Sequence, residues 1–172
     1  MNTKRLVFLS ILISQAIILG YIERFIPFPF LAPGAKIGLA NVVALVCLYR
    51  YGFKEALLVQ VLRVLLISLL FGNMASFLFS LSGAIFSTTA MSICHKLFKD
   101  KFSIMGISLI GAIFHHIGQL SIAAITIQTI TIFSYAPILF LISIPTGIFI
   151  GILAKLMLSS ISRTPWSNAS KY

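Results

Sequence analysis

Acidic side chains are almost missing from this chain: Asp and Glu together number 3 in 172 residues. They are Glu23, Glu55 and Asp100. Charged residues of both signs make up only 9%, where a soluble domain carries roughly 25%. The apolar fraction is 59% and the mean hydropathy is +1.08. One buried core of this length could not hide so much apolar surface, so the solvent is lipid. Cysteine is scarce too. Cys47 and Cys94 both lie inside apolar runs, in no metal or redox spacing, and read as small packing residues. There is no nucleophile–base–orienter set, no phosphate-cradling loop and no ATP-binding motif. Catalysis is poorly supported, and any transport would draw its energy from a partner or an ion gradient.

What is present is basic charge, at a net +10. Its distribution argues against nucleic acid, because the basic residues punctuate apolar runs and form no single patch. That is the pattern of topology determinants beside an anionic leaflet.

The apolar runs predict six spans, roughly 6–22, 37–49, 56–72, 77–95, 103–125 and 137–154. A straight span needs about 20 residues. The second is too short, so it either starts within the preceding Pro/Gly segment or is shielded by its neighbours. The first run follows Lys4 and Arg5, as the core of a signal peptide would. Glu23, Arg24 and Phe25 then follow it without a small-residue cleavage site, so it reads as a retained helix. With the N-terminus inside, Lys4, Arg5, Arg50, Lys54, Lys96, Lys99, Lys101, Lys155, Arg163 and Lys171 are cytoplasmic. Only Arg24 and Lys36 fall outside, and Arg63 lies within a span. This positive-inside bias requires an even number of spans. The expected fold is all-α: a bundle of six transmembrane helices over 1–158, both termini cytoplasmic, with a short polar tail over 159–172.

Between the first two spans, Glu23 to Lys36 holds three prolines and a glycine, which forbid a regular helix. It reads either as a lid over an outward-facing cavity or as a membrane-hugging loop with interfacial phenylalanines.

Arg63 is the most informative residue. A midplane arginine costs about 2.5–3.5 kcal/mol on insertion scales, so it should face a partner or a wet cavity. It either fastens the bundle or binds an anionic group of a ligand. Glu55 and Asp100 fall at cytoplasmic ends and are expected to pair with Lys54, Lys99 or Lys101, leaving Glu23 as the acid nearest an outer cavity. In the fifth span, His115 and Gln119 are i, i+4 and share a face. His116 points about 100° away from His115 and no third ligand is evident, so a metal site is not expected. The histidines and Gln119 either contact a polar ligand or bond between helices. Lys36, Asn41 and Ser80 lie toward the outer side. Together these polar groups converge in the outer half, as a capture pocket with apolar walls requires. Ser10 and Ser14, then Ala16 and Gly20, form small-xxx-small pairs on the first span, as do Gly147 and Gly151 on the sixth. Such pairs permit close helix approach, either within the bundle or to another membrane protein.

Several segments resemble the Gx transporter family, whose members are often labelled heptaprenyl diphosphate synthase component I. They are Ala32-Pro-Gly-Ala-Lys-Ile-Gly-Leu-Ala-Asn41, Gly52-Phe-Lys-Glu-Ala56, Arg63-Val-Leu, Phe79-Ser-Leu-Ser-Gly83 and Gly111-Ala-Ile-Phe-His-His-Ile-Gly-Gln119. The resemblance runs from about residue 5 to 157, with the motifs in order. The family usually has His-Asn where this chain has His115-His116. That family in turn resembles the substrate-binding S components of energy-coupling-factor (ECF) transporters. The resemblance implies a six-helix protein of the bacterial cytoplasmic membrane whose pocket opens outward to a small solute. It also implies partners: a transmembrane coupling protein and two ATPases, docked on small residues of the first helix, here Ser10, Ser14, Ala16 and Gly20. No cofactor is implied. The expected binding residues are Glu23, Lys36, Asn41, Arg63, Ser80, His115 and Gln119.

The synthase label meets a chemical test. Prenyl chain elongation needs Mg²⁺ held by clustered aspartates at a diphosphate. This chain has one aspartate, Asp100, so under that label it would be a membrane accessory subunit of polyprenyl diphosphate synthesis.

Overall fold

The computed structural model describes residues 3–25, 38–72, 74–98 and 101–163. Among them every regular element is helical: α1 (Thr3–Ile22), α2 (Asn41–Tyr51), α3 (Phe53–Phe71), α4 (Met74–Phe98), α5 (Ile104–Ile127) and α6 (Ala136–Ser162). Short 3-10 turns at Glu23–Phe25 and Ile130–Tyr135 follow α1 and precede α6. Lys36, Lys99, Asp100 and Lys171 lie outside the described residues. The helix of the sixth span runs on to Ser162, and residues 164–172 of the expected tail lie outside the described residues. Its last turn continues because nothing from Ser159 to Ser162 breaks a helix.

Four helical stretches are long and apolar enough to cross a membrane: Thr3–Ile22, Met74–Phe98, Ile104–Ile127 and Ile130–Ser162. The other two helices fall short for different physical reasons. Helix α3 has the length, at 19 residues, but carries Lys54, Glu55 and Arg63. Helix α2 has the apolar sequence but only 11 residues. At 1.5 Å per residue it reaches about 17 Å, roughly half a bilayer's hydrocarbon thickness.

The shortness of α2 is explained by its place. Every residue from Asn41 to Leu48 is buried, and the helix packs against all five others. A helix that is apolar all round belongs at the centre of a bundle. It starts at Asn41, later than residue 37, after a turn in which Asn41 N–H donates to Gly38 O at 2.9 Å. It ends at Gly52, whose φ of 98° and ψ of −171° suit only glycine. Gly52 N–H closes α2 on Leu48 O at 3.1 Å, and Gly52 O opens α3 by accepting from Ala56 N–H at 3.2 Å.

The helices alternate in direction. Phe8 meets Tyr51, so α1 and α2 are antiparallel; Arg5 pairs with Glu55 and Gly20 abuts Ile67, so α1 and α3 are parallel. Tyr49 stacks near His95, which aligns α2 with α4. Gly111 abuts Met91 of α4, and Gly147 and Gly151 abut Leu109 and Met105, reversing direction at each step. Thr3 and Ser162 therefore lie at the same end of the bundle. Lys4, Arg5, Arg50, Lys54, Lys96, Lys101, Lys155 and Arg163 also gather toward that end. Glu55 pairs there with Arg5 and not with a neighbouring lysine, because the parallel α1 and α3 start side by side.

Two apolar clusters fill the interior. The larger, toward the basic end, joins Phe8, Leu9, Leu12 and Ala16 to α2, Ala56, Val59, Met91, Ile107, Ile150 and Ala154. The smaller, toward the other end, joins Phe79, Leu120, Ala123, Ile132 and Leu139. Between them lies a layer of polar side chains.

Candidate functional site

The polar layer is built from the middle of the long helices and the start of α2. Arg63 sits halfway along α3 and is 3% exposed. One turn earlier on the same face, Gln60 is fully buried and donates through Nε2 to Asn41 Oδ1 at 2.6 Å. Buried amides need such partners, because an unmatched polar group in an apolar interior costs several kcal/mol. Across the layer, the Gln119 amide nitrogen lies 3.0 Å from His115 Nε2, the i, i+4 contact their spacing anticipates.

Glycines bring these groups together. Gly38 has a φ of +89°, and a Cβ there would lie 2.9 Å from Asn41 Nδ2 and 3.0 Å from His115 Cδ2. Gly83 of α4 lies against the other edge of the same imidazole, and a Cβ there would lie 2.7 Å from His115 Nδ1. The His115 ring is thus held between the turn before α2 and the face of α4. Ser80, one turn from Gly83 on α4, is buried beside this contact. Ser82 Oγ donates to Gly118 O at 2.7 Å and draws α4 and α5 together.

Glu23 completes the layer from the end of α1. Its carboxylate accepts from Gly38 N–H and, at 3.4 Å, from Leu39 N–H, in the turn that leads into α2. An anion there meets the positive end of the helix dipole. The same carboxylate acts electrostatically on the Arg63 guanidinium. Gly20, one turn before the end of α1, leaves room beside Arg63: a Cβ there would lie 3.5 Å from Nη1. Arg63 Nε and Nη2 have no acceptor among the described residues.

The structure therefore brings Glu23, Asn41, Arg63, Ser80, His115 and Gln119 into one buried layer. Lys36 lies outside the described residues. Gln60 and Gly38 belong to the layer but did not stand out in the sequence. For Gln60 a signal existed, since it stands three residues before Arg63 and shares its helix face. His116 is fully buried beside the layer, with its ring 5.8 Å from that of His115.

The four small residues of α1 are divided between two sides of the helix. Ser10 and Ser14 are exposed, while Ala16 and Gly20 are buried against the bundle. The two pairs are offset by six residues and so point about 120° apart on a helix, and one pair faces out while the other faces in. Gly147 and Gly151 pack within the bundle, against the backbone of α5.

Chemically the layer offers a guanidinium, three carboxamides, an imidazole, a hydroxyl and a carboxylate in an apolar shell. That set can hold and orient a small polar or anionic molecule. A family model described as "Heptaprenyl diphosphate synthase component I" matches residues 12–157. No curated protein and no solved structure matches the chain.

Proposed function

The chain belongs to the heptaprenyl diphosphate synthase component I family, and from that premise we propose that it is a membrane-embedded solute-binding subunit. In this reading all six helices sit in the bacterial cytoplasmic membrane, with the basic end and both termini in the cytoplasm. The polar layer captures a small solute from outside. The protein serves as the S component of an ECF-type importer, with a transmembrane coupling protein and two ATPases supplying the energy. The observation that carries the reading is Arg63, a buried guanidinium with donors that no described residue satisfies. A cation this costly to bury is expected to meet a ligand or a wet cavity. Asn41, His115, Gln119 and Ser80 would orient the solute, and Glu23 would balance the charge.

The family's description favours a second reading, in which the chain is a membrane accessory subunit of polyprenyl diphosphate synthesis. Its only aspartate is Asp100, so a soluble, aspartate-rich partner would do the chemistry.

Affinity purification from the native membrane in mild detergent, with mass spectrometry of the retained proteins, separates the two. Recovery of a coupling protein with two ATPases supports the importer. Recovery of a prenyl synthase without ATPases overturns it in favour of the accessory subunit.

A further inference from the structure

Arg63 is buried, and its Nε and Nη2 have no acceptor among the described residues. These two nitrogens are not an arbitrary pair. In a guanidinium, Nη1 is the nitrogen on the Cδ side, so N–H bonds of Nε and Nη2 point the same way and form one flat fork. A Cβ added at Gly20 would lie 3.5 Å from Nη1 and 3.9 Å from Cδ. Helix α1 therefore covers the Cδ–Nη1 edge, and the fork is the opposite edge. Glu23 acts on the guanidinium electrostatically, while its carboxylate accepts from Gly38 and Leu39 N–H; it occupies neither prong. Two parallel donors on a cation match the two oxygens of a carboxylate. The charge of the layer favours that group over a dianion such as a phosphate monoester. Arg63 is the layer's cation among the described residues, and Glu23 already draws on its field, so a second negative charge would be buried without a cation to meet it.

One turn before Arg63 and on its face, Gln60 is joined to Asn41 by one hydrogen bond of 2.6 Å. Each carboxamide carries a donor and an acceptor, so a pair joined once leaves one of each over, whichever way the amides are turned. Here these are Asn41 Nδ2 and Gln60 Oε1, both buried and unbonded. Such orphans are costly unless an occupant meets them. An amide presents the matching acceptor and donor together. Given the solute-binding role, on which this rests, we propose that the solute is a small monocarboxylate that also carries an amide-like donor and acceptor. Its carboxylate sits on the Nε–Nη2 fork of Arg63, and its amide meets the left-over atoms of the Asn41–Gln60 pair.

The test purifies the full-length wild type, Arg63→Lys and Arg63→Gln from the native membrane in mild detergent and analyses the extracted small molecules by mass spectrometry. The molecule from the wild type should take up one methyl group on carboxyl-selective esterification and release no phosphate on fragmentation. In D2O it should exchange at least one proton besides that of the carboxyl. Arg63→Lys keeps the charge but lacks the flat fork, so it should retain about tenfold less, as should Arg63→Gln. A molecule with no carboxyl, with two, or with a phosphate overturns the assignment and leaves the solute-binding role standing; so does one with no further exchangeable proton. Equal retention by wild type and Arg63→Lys, with equal helix content by circular dichroism, also overturns it, because a point charge would then suffice. The esterification needs only the wild type and decides the class even where a variant misfolds. No molecule on a folded wild type overturns the solute-binding role itself, and the assignment with it.

Discussion

Gly83 of α4 and His115 of α5 are in closer contact than a side chain at position 83 permits, since a Cβ there would lie 2.7 Å from the imidazole Nδ1. Gly83→Ala should displace the ring and cost about 1–3 kcal/mol by overpacking. His115→Ala removes the obstacle. The double variant should therefore lose less stability than the two single losses combined. Thermal unfolding of the four proteins in one detergent measures this. Strict additivity would mean the two residues do not press on each other.

Asn41 and Gln60 form a second buried pair, at 2.6 Å. Gln60→Leu leaves the Asn41 Oδ1 acceptor without its donor and should cost about 1–3 kcal/mol. Asn41→Leu combined with Gln60→Leu removes both polar groups and should recover part of that loss. If the double variant is no better than Gln60→Leu alone in chemical unfolding, the bond does not hold α2 to α3.

At Gly52 the constraint is conformational. Nothing lies within 4 Å of a Cβ added there, yet its φ is +98°. Gly52→Ala should lower stability by about 1–3 kcal/mol through backbone strain alone. The α2–α3 corner would be the affected region, and hydrogen exchange should report faster opening at Leu48 and Ala56. Unchanged exchange at those amides would contradict the strain argument.

The small residues of α1 and α6 should respond unequally to one added methyl. In Gly147→Ala the new Cβ would lie 2.7 Å from Leu109 Cα, which only a backbone shift can relieve. In Gly20→Ala it meets the tip of the Ile67 side chain, which a rotamer change can move. Gly147→Ala is therefore expected to be the more destabilising by thermal unfolding in detergent. The reverse order would mean that α5 and α6 are not in tight backbone contact.

Much of the helical pattern was legible, because apolar runs bounded by charges and glycine or proline have one economical reading in lipid. The boundaries of α2 were less so. Its run from Asn41 to Leu48 is apolar whether it spans a membrane or fills a bundle, and only its contacts with all five other helices decide. Arg63, His115 and Gln119 drew attention because polar groups inside apolar runs are costly. Gly83 stood out only as the end of a family motif, and the close approach of Gly38 and Gly83 to the His115 ring was not legible, since a glycine beside a ring has no pattern of its own. The Arg5–Glu55 pair links residues 50 positions apart, and sequence proximity pointed to lysines instead. That Ser10 and Ser14 are exposed on α1 while Ala16 and Gly20 are buried was not legible from the small-xxx-small spacing alone.

The central claim is that Arg63 holds a solute in the polar layer. It is tested most directly by purifying the wild type and Arg63→Gln from the native membrane in mild detergent. Organic extracts of both are then compared by mass spectrometry, with circular dichroism confirming equal helix content. The account predicts a small molecule in near-stoichiometric amount with the wild type and its loss from Arg63→Gln. The same molecule retained equally by both, or none retained by a folded wild type that also shows no ligand-dependent stabilisation, would contradict it.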